Sequence, residues 1–155
     1  MPEPFTIRRL GPTEVSAFRE LNAVFGRAFK EPDTYGGHPP PDPYLAELLA
    51  KEHVLALVAT AGGVVVGGLV AYELDKFERA RREVYIYDLA VAAEHRRRGI
   101  ATALIGALRG IAGARGASVV FVQADPEDDA AVALYGSLGH REDVFHFDFA
   151  VPDAE

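Results

Sequence analysis

The chain has 155 residues, 49% of them apolar and 25% charged, which suits one domain with a buried core and excludes a disordered tail. It has no cysteine, which excludes disulfides, thiolate zinc sites and a cysteine nucleophile together. A net charge of −7 argues against nucleic acid, which asks for a basic field, and no stretch approaches the roughly 20 apolar residues of a membrane helix.

The start, Met1-Pro2-Glu3-Pro4-Phe5, has neither the basic nor the apolar region of a signal peptide, so a cytoplasmic protein without membrane contact is expected. No internal repeat or linker composition interrupts the chain, and a single domain over 1–155 is expected. Acidic residues gather at 125–129 and 142–143, and basic ones at 79–82 and 96–98. That distribution allows one end to hold an anion while another attracts a cation.

In chain order, residues 5–10 alternate weakly and read as a strand closed by Gly11-Pro12. Thr13 is placed to cap a helix to about Phe29, with Val15, Phe18, Leu21, Val24 and Phe25 at helical spacing. Residues 30–42 read as a loop, and Asp42-Pro43 opens a short helix to Lys51. Residues 53–60 and 64–74 form a hairpin turned by Ala61-Gly62-Gly63. Residues 83–91, EVYIYDLAV, are a central strand. A helix over 99–115 shows Leu104, Ile105, Leu108 and Ile111 on one stripe, and 118–124 is another strand. Asp128 caps a helix through Leu138, ended by Gly139, and 141–151 alternates as a last strand. The order predicts an α/β (α+β) mixed sheet with an antiparallel front and a strand–helix–strand back half.

The segment with the most chemistry is Asp88-Leu89-Ala90-Val91, followed after four residues by Arg96-Arg97-Arg98-Gly99-Ile100-Ala101-Thr102. A strand here feeds a helix whose first amides lack helical acceptors and share the positive end of the helix dipole. Gly99 and Ala101 let a diphosphate approach the backbone, and the arginines add charge. No Gly-Lys-Ser/Thr follows, so this is not a nucleoside-triphosphatase loop, and the first two glycines of a dinucleotide fingerprint are missing.

This segment resembles the acetyl-coenzyme A site of the GNAT acetyltransferase superfamily, whose pattern is Arg/Gln-x-x-Gly-x-Gly/Ala. Asp128-Asp129-Ala130-Ala131-Val132-Ala133-Leu134-Tyr135, then Gly139, resembles that superfamily's second element. The runs over 76–105 and 122–142, with RLGP at 9–12 and HFD at 146–148, look like the class I aminoglycoside 3-N-acetyltransferases of the gentamicin-resistance type. His140 departs from the superfamily, which prefers Phe after that glycine.

The resemblance implies a GNAT fold, with a mixed sheet of about six to seven strands, about four helices and splayed central parallel strands. It implies direct acetyl transfer from acetyl-coenzyme A to the 3-amino group of a polycationic aminoglycoside in a ternary complex. Leu89, Ala90 and Val91 would pair with the pantetheine arm, and Arg96, Arg97, Arg98, Gly99, Ile100, Ala101 and Thr102 would hold the diphosphate. Tyr135 would be the general acid that protonates the departing thiolate, and Asp88 or Asp125 the base, with Asp88 ranked first. Each of these carboxylates has an alternative reading as a cap or an ion-pair partner.

Further acceptors for a polycation are Asp33, Tyr35, Glu78, Glu127, Asp128, Asp129 and Asp148. The five histidines show no metal spacing and no Gly-x-Ser-x-Gly elbow is present, so neither a metal site nor an acyl-serine is expected. The short segment after Gly139 leads to an expected homodimer. A polyamine or protein amine as acceptor, or a coenzyme A-binding module without catalysis, are the competing readings.

Overall fold

The computed structural model describes residues 3–153. The chain divides into two compact units, Met1–Gln123 and Ala124–Glu155.

The first unit is built on a five-stranded sheet in the order β1-β2-β3-β4-β5: Thr6–Arg9, Val54–Ala61, Val64–Asp75, Arg82–Val91 and Ala117–Val122. The first three pairings are antiparallel and β4 pairs with β5 in parallel. Four helices belong to this unit: α1 Val15–Ala28, α2 Pro32–Gly36, α3 Asp42–Ala50 and α4 Ile100–Ala114. The parallel pair requires a crossover, and α4 supplies it between β4 and β5.

Each face of the sheet carries its own core. On one, Leu104, Leu108 and Ala112 of α4 pack on Leu55, Leu57, Leu69, Val84 and Ile86. On the other, Phe18, Leu21, Val24 and Phe25 of α1 pack on Ala56, Val58 and Val70, with Leu45 and Leu49 of α3 beside them. Gly68 lets α1 lie this close: a Cβ there would stand 2.5 Å from the Leu57 carbonyl oxygen and 2.6 Å from Leu21 Cδ1.

The second unit is α5, Asp129–Leu138, followed by residues without regular structure in the unit taken by itself. Asp128 caps α5 as expected, its Oδ1 accepting from the Ala131 amide at 3.1 Å.

Four details differ from the sequence expectation. The sheet has five strands among the described residues, where six to seven were expected. The described residues hold five α-helices, because the 30–42 loop contains α2, started by Pro32. Helix α1 is bounded by Glu14 rather than capped by Thr13, and the Glu14 carboxylate folds back to accept from the Gly11 amide at 3.1 Å. Asp42 does not cap α3; it is the first residue of that helix and pairs with Arg19 of α1, which also donates to the Pro40 carbonyl at 2.8 Å.

Candidate active site

The site begins with a break in the alternation of β4. Val84 and Ile86 enter the core beneath α4, and by period two Asp88 should follow them. Leu89 and Val91 enter it instead, while Ala90 joins the core beneath α1. The register explains the switch. Val70 pairs with Asp88 but Ala71 pairs with Ile86, which leaves Tyr87 as the extra residue of a β-bulge.

The bulge turns both Tyr87 and Asp88 toward the α1–α2 side. Tyr87 meets the edge of Tyr72 at a ring separation of 6.0 Å. Asp88 Oδ2 accepts a hydrogen bond from the Tyr35 hydroxyl of α2 at 3.0 Å. Burial pushes the Asp88 carboxyl above the ordinary carboxylate range, the Tyr35 hydrogen bond pulls it back, and the charge of Glu31 pushes it up again. A half-buried carboxylate of raised proton affinity is a stronger base than a surface one.

β4 then continues past its parallel neighbour. The β4–β5 ladder ends at Ile86 and Val122, while β4 runs on to Val91. Among the described residues, 88–91 therefore have ladder partners on β3 alone, and the backbone of Leu89, Ala90 and Val91 has no strand on its other side. The parallel pairing ends where β5 ends, and β4 outruns it by five residues.

Beyond Val91 a 3₁₀ turn, Ala93–His95, leads into α4. Arg97 and Gly99 both take the left-handed conformation, at φ 62° and 78°. The ladder of α4 begins with the Ala103 amide donating to the Gly99 carbonyl at 2.9 Å, so the amides of Ile100, Ala101 and Thr102 face out of the helix end. A Cβ on Gly99 would meet nothing within 4 Å, so the space above the loop is open. Open space, outward amides and a helix dipole fit a diphosphate.

The three arginines divide their work. Arg96 Nε donates to the Val91 carbonyl at 3.2 Å and ties the loop to the strand end. Arg98 Nη1 lies 3.2 Å from His95 Nδ1, and Arg97 is exposed.

The remaining candidates fall in several places. Asp33 shares α2 with Tyr35. Glu78 lies in the turn before β4, ion-paired with Arg81, at the end of the strand away from Val91. Asp125, Glu127, Asp128, Asp129, Tyr135 and Asp148 belong to the second unit. There, burial and then the charge of Asp128 raise the Tyr135 hydroxyl above its ordinary value, so it holds its proton at neutral pH. Asp148 Oδ1 lies 2.8 Å from His146 Nε2. The first unit thus joins Asp88, Tyr35, the open end of β4 and the α4 amides.

Sequence reading missed Tyr72, Tyr87 and Glu31 around Asp88. The tyrosines of β3 and β4 read as ordinary strand residues, and nothing in EVYIYDLAV marks the bulge that turns two consecutive side chains to one face.

The model of the acetyltransferase (GNAT) family matches residues 21–140, most of the chain and parts of both units. The chain belongs to the GNAT acetyltransferase family. GNAT acetyltransferases use acetyl-coenzyme A, and the amide cradle before α4 has the shape and polarity its diphosphate requires.

Among solved structures, the chain is similar to an aminoglycoside acetyltransferase from an uncultured soil metagenomic sample. The two are 52% identical, the match covers 96% of this chain and 99% of that one, and the TM-score is 0.94. It is also similar to a second soil metagenomic aminoglycoside acetyltransferase, solved in complex with sisomicin, at 31% identity over 96% and 97% of the chains with a TM-score of 0.88. Among curated proteins it is similar to N-acetyltransferase family 8 member 2 of Rattus norvegicus, 26% identical over 61% of this chain and 49% of that protein. The chain spans about half the length of that relative or less of the others it matches.

Proposed function

We propose that this GNAT protein transfers an acetyl group from acetyl-coenzyme A directly to the 3-amino group of an aminoglycoside within a ternary complex. The observation that carries the reading is Asp88: a carboxylate of raised proton affinity, turned by a bulge to one side of β4, three residues before the strand end that leads to the amide cradle. The likeness at 52% identity to an aminoglycoside acetyltransferase supports the choice of acceptor, and so does the net charge of −7, which attracts a polycation.

When bound at the cradle, acetyl-coenzyme A supplies an acetyl thioester. The amides of residues 98–102 hold the diphosphate, and the open side of Leu89, Ala90 and Val91 offers backbone groups to the pantetheine arm. Asp88 takes the proton that the acceptor amine must lose to become a nucleophile. Tyr135 keeps its hydroxyl proton through the neutral range and serves as general acid from Oη. With no cysteine in the chain, no thiol is available to carry the acyl group. Asp33, Glu78, Asp125, Glu127, Asp128, Asp129 and Asp148 supply further carboxylates for acceptor ammonium groups, with Asp125 second to Asp88 as base.

The same reading takes residues 1–155 as one catalytic domain, working in the cytoplasm as a homodimer. The homodimer is supported by the apolar alternation of Phe145, Phe147 and Phe149, which gives the last segment one face for a neighbour.

The test is thiol release from acetyl-coenzyme A with gentamicin, spermidine or a lysine peptide as acceptor. Release with gentamicin well above the other two is the expected result. Preference for spermidine or the peptide moves the acceptor class, and coenzyme A binding without release for any amine leaves a non-catalytic module.

A further inference from the structure

We propose that Tyr35 is a positioning residue: its hydroxyl, donated to Asp88 Oδ2, orients the carboxylate and leaves Oδ1 to take the proton of the acceptor amine. The proposal rests on the reading of Asp88 as the base. The sequence offers Tyr35 as a further acceptor for a polycation, and in the structure its hydroxyl donates to Asp88 Oδ2 at 3.0 Å.

The ring is fixed independently of that bond. Pro32 starts α2, the Glu31 amide donates to the Gly26 carbonyl at 2.9 Å, and the Gly37 amide closes the helix on the Asp33 carbonyl at 2.8 Å. The Tyr35 ring then packs against Phe25 at 5.8 Å and Phe29 at 5.7 Å. α1 is bare where α2 crosses it, since a Cβ on Gly26 would already lie 3.4 Å from Tyr35 Cβ. Packing holds the ring, and the hydroxyl extends beyond it to β4.

The hydroxyl is a dependable donor. Burial and the charge of Asp88 raise its proton affinity far above that of free tyrosine, so it never competes with Asp88 for the negative charge at working pH. The charge of Glu31, ahead of α2, also acts on Asp88, and the charge of Asp88 acts in turn on Tyr72 of β3 and Tyr85 of its own strand, while Tyr44 of α3 acts on Tyr72 and Tyr87 on Tyr35. Among the described residues Tyr35 is the one side chain that donates a hydrogen bond to Asp88. A donor to the charged form favours that form, and its removal leaves burial and Glu31 unopposed.

Tyr35→Phe tests this, since it keeps the packed ring and removes the donor. The acidic limb of kcat/KM moves to higher pH, with about a tenfold loss below the limb, a smaller one above it and an unchanged KM for acetyl-coenzyme A. A carbon-13 NMR titration of the Asp88 carboxyl, identified by its absence in Asp88→Asn, moves upward in the same variant and needs no acceptor. An Asp88 titration that stays in place in Tyr35→Phe overturns the proposal whatever the turnover. If instead the unaltered protein releases no thiol with any amine, the function reading fails, and the NMR titration still decides whether Tyr35 sets the state of Asp88.

Discussion

The Arg115 guanidinium meets both carboxylate oxygens of Glu73, Nε to Oε2 at 2.6 Å and Nη2 to Oε1 at 3.0 Å. Its Nη2 also donates to the Glu52 carbonyl at 3.0 Å, so one residue just past the end of α4 secures the β3 strand and the turn before β2. Glu73 is 8% exposed, and the Arg115 hydrogen bonds outweigh burial to hold its carboxyl below the ordinary range. A carboxyl depressed in the folded state stabilises fully above its unfolded value, and that stabilisation is lost as pH falls through the folded value. Arg115→Met should cost about 1–3 kcal/mol at neutral pH, because it removes the two hydrogen bonds of the guanidinium and leaves Arg82 Nη1, at 3.5 Å, as the ion-pair partner of Glu73. Urea unfolding at pH 7 and in acid checks this: the gap between variant and unaltered protein narrows as Glu73 protonates, and a constant gap contradicts the account.

Gly68→Ala should lower stability by about 1–3 kcal/mol without touching any group of the site. Its new methyl meets the Leu57 carbonyl and Leu21, both fully buried and unable to retreat. Thermal unfolding measures the loss, and an unchanged melting temperature means that α1 is free to shift on the sheet.

Gly99→Val separates folding from binding. At φ 78° a side chain costs about 1–2 kcal/mol of backbone strain, yet its Cβ meets no atom beyond the chain neighbours within 4 Å. The fold should persist while coenzyme A affinity, measured by calorimetry, drops about ten- to a hundredfold as the diphosphate loses charge-assisted hydrogen bonds. Unchanged affinity would move the diphosphate away from α4.

Asp88→Asn should lower kcat/KM by about 10²–10⁴ and remove the acidic limb of its pH profile. The same change should not lower the melting temperature. Asp88 has a raised pKa in the folded state, so its ionised form costs stability above that pKa, and asparagine removes the cost. A variant that loses both activity and stability would mark Asp88 as structural.

Tyr135→Phe should cut kcat by about 10²-fold and leave coenzyme A affinity in place. Equal turnover removes Tyr135 as the acid.

The periodic elements were legible in the sequence because their faces are buried on the matching period. Phe18, Leu21 and Phe25 of α1 enter one core, and Leu104 and Leu108 of α4 enter the other, as their spacing predicts. The cradle was legible too, because a glycine after a buried strand and before a helix has a backbone reason to be there, and Gly99 is left-handed. α2 was hidden because five residues carry no periodicity, and its one local signal is Pro32. The link from Tyr35 to Asp88 joins positions 53 apart in the chain through a bulge, and neither spacing nor composition encodes such a contact.

The most direct test of the acetyl-transfer account is the position of the new acetyl group. Gentamicin or sisomicin incubated with the protein and acetyl-coenzyme A, then resolved by two-dimensional NMR, should carry a single acetyl on the 3-amino group of the 2-deoxystreptamine ring. An acetyl on any other amine, or unmodified drug beside intact thioester, would contradict it.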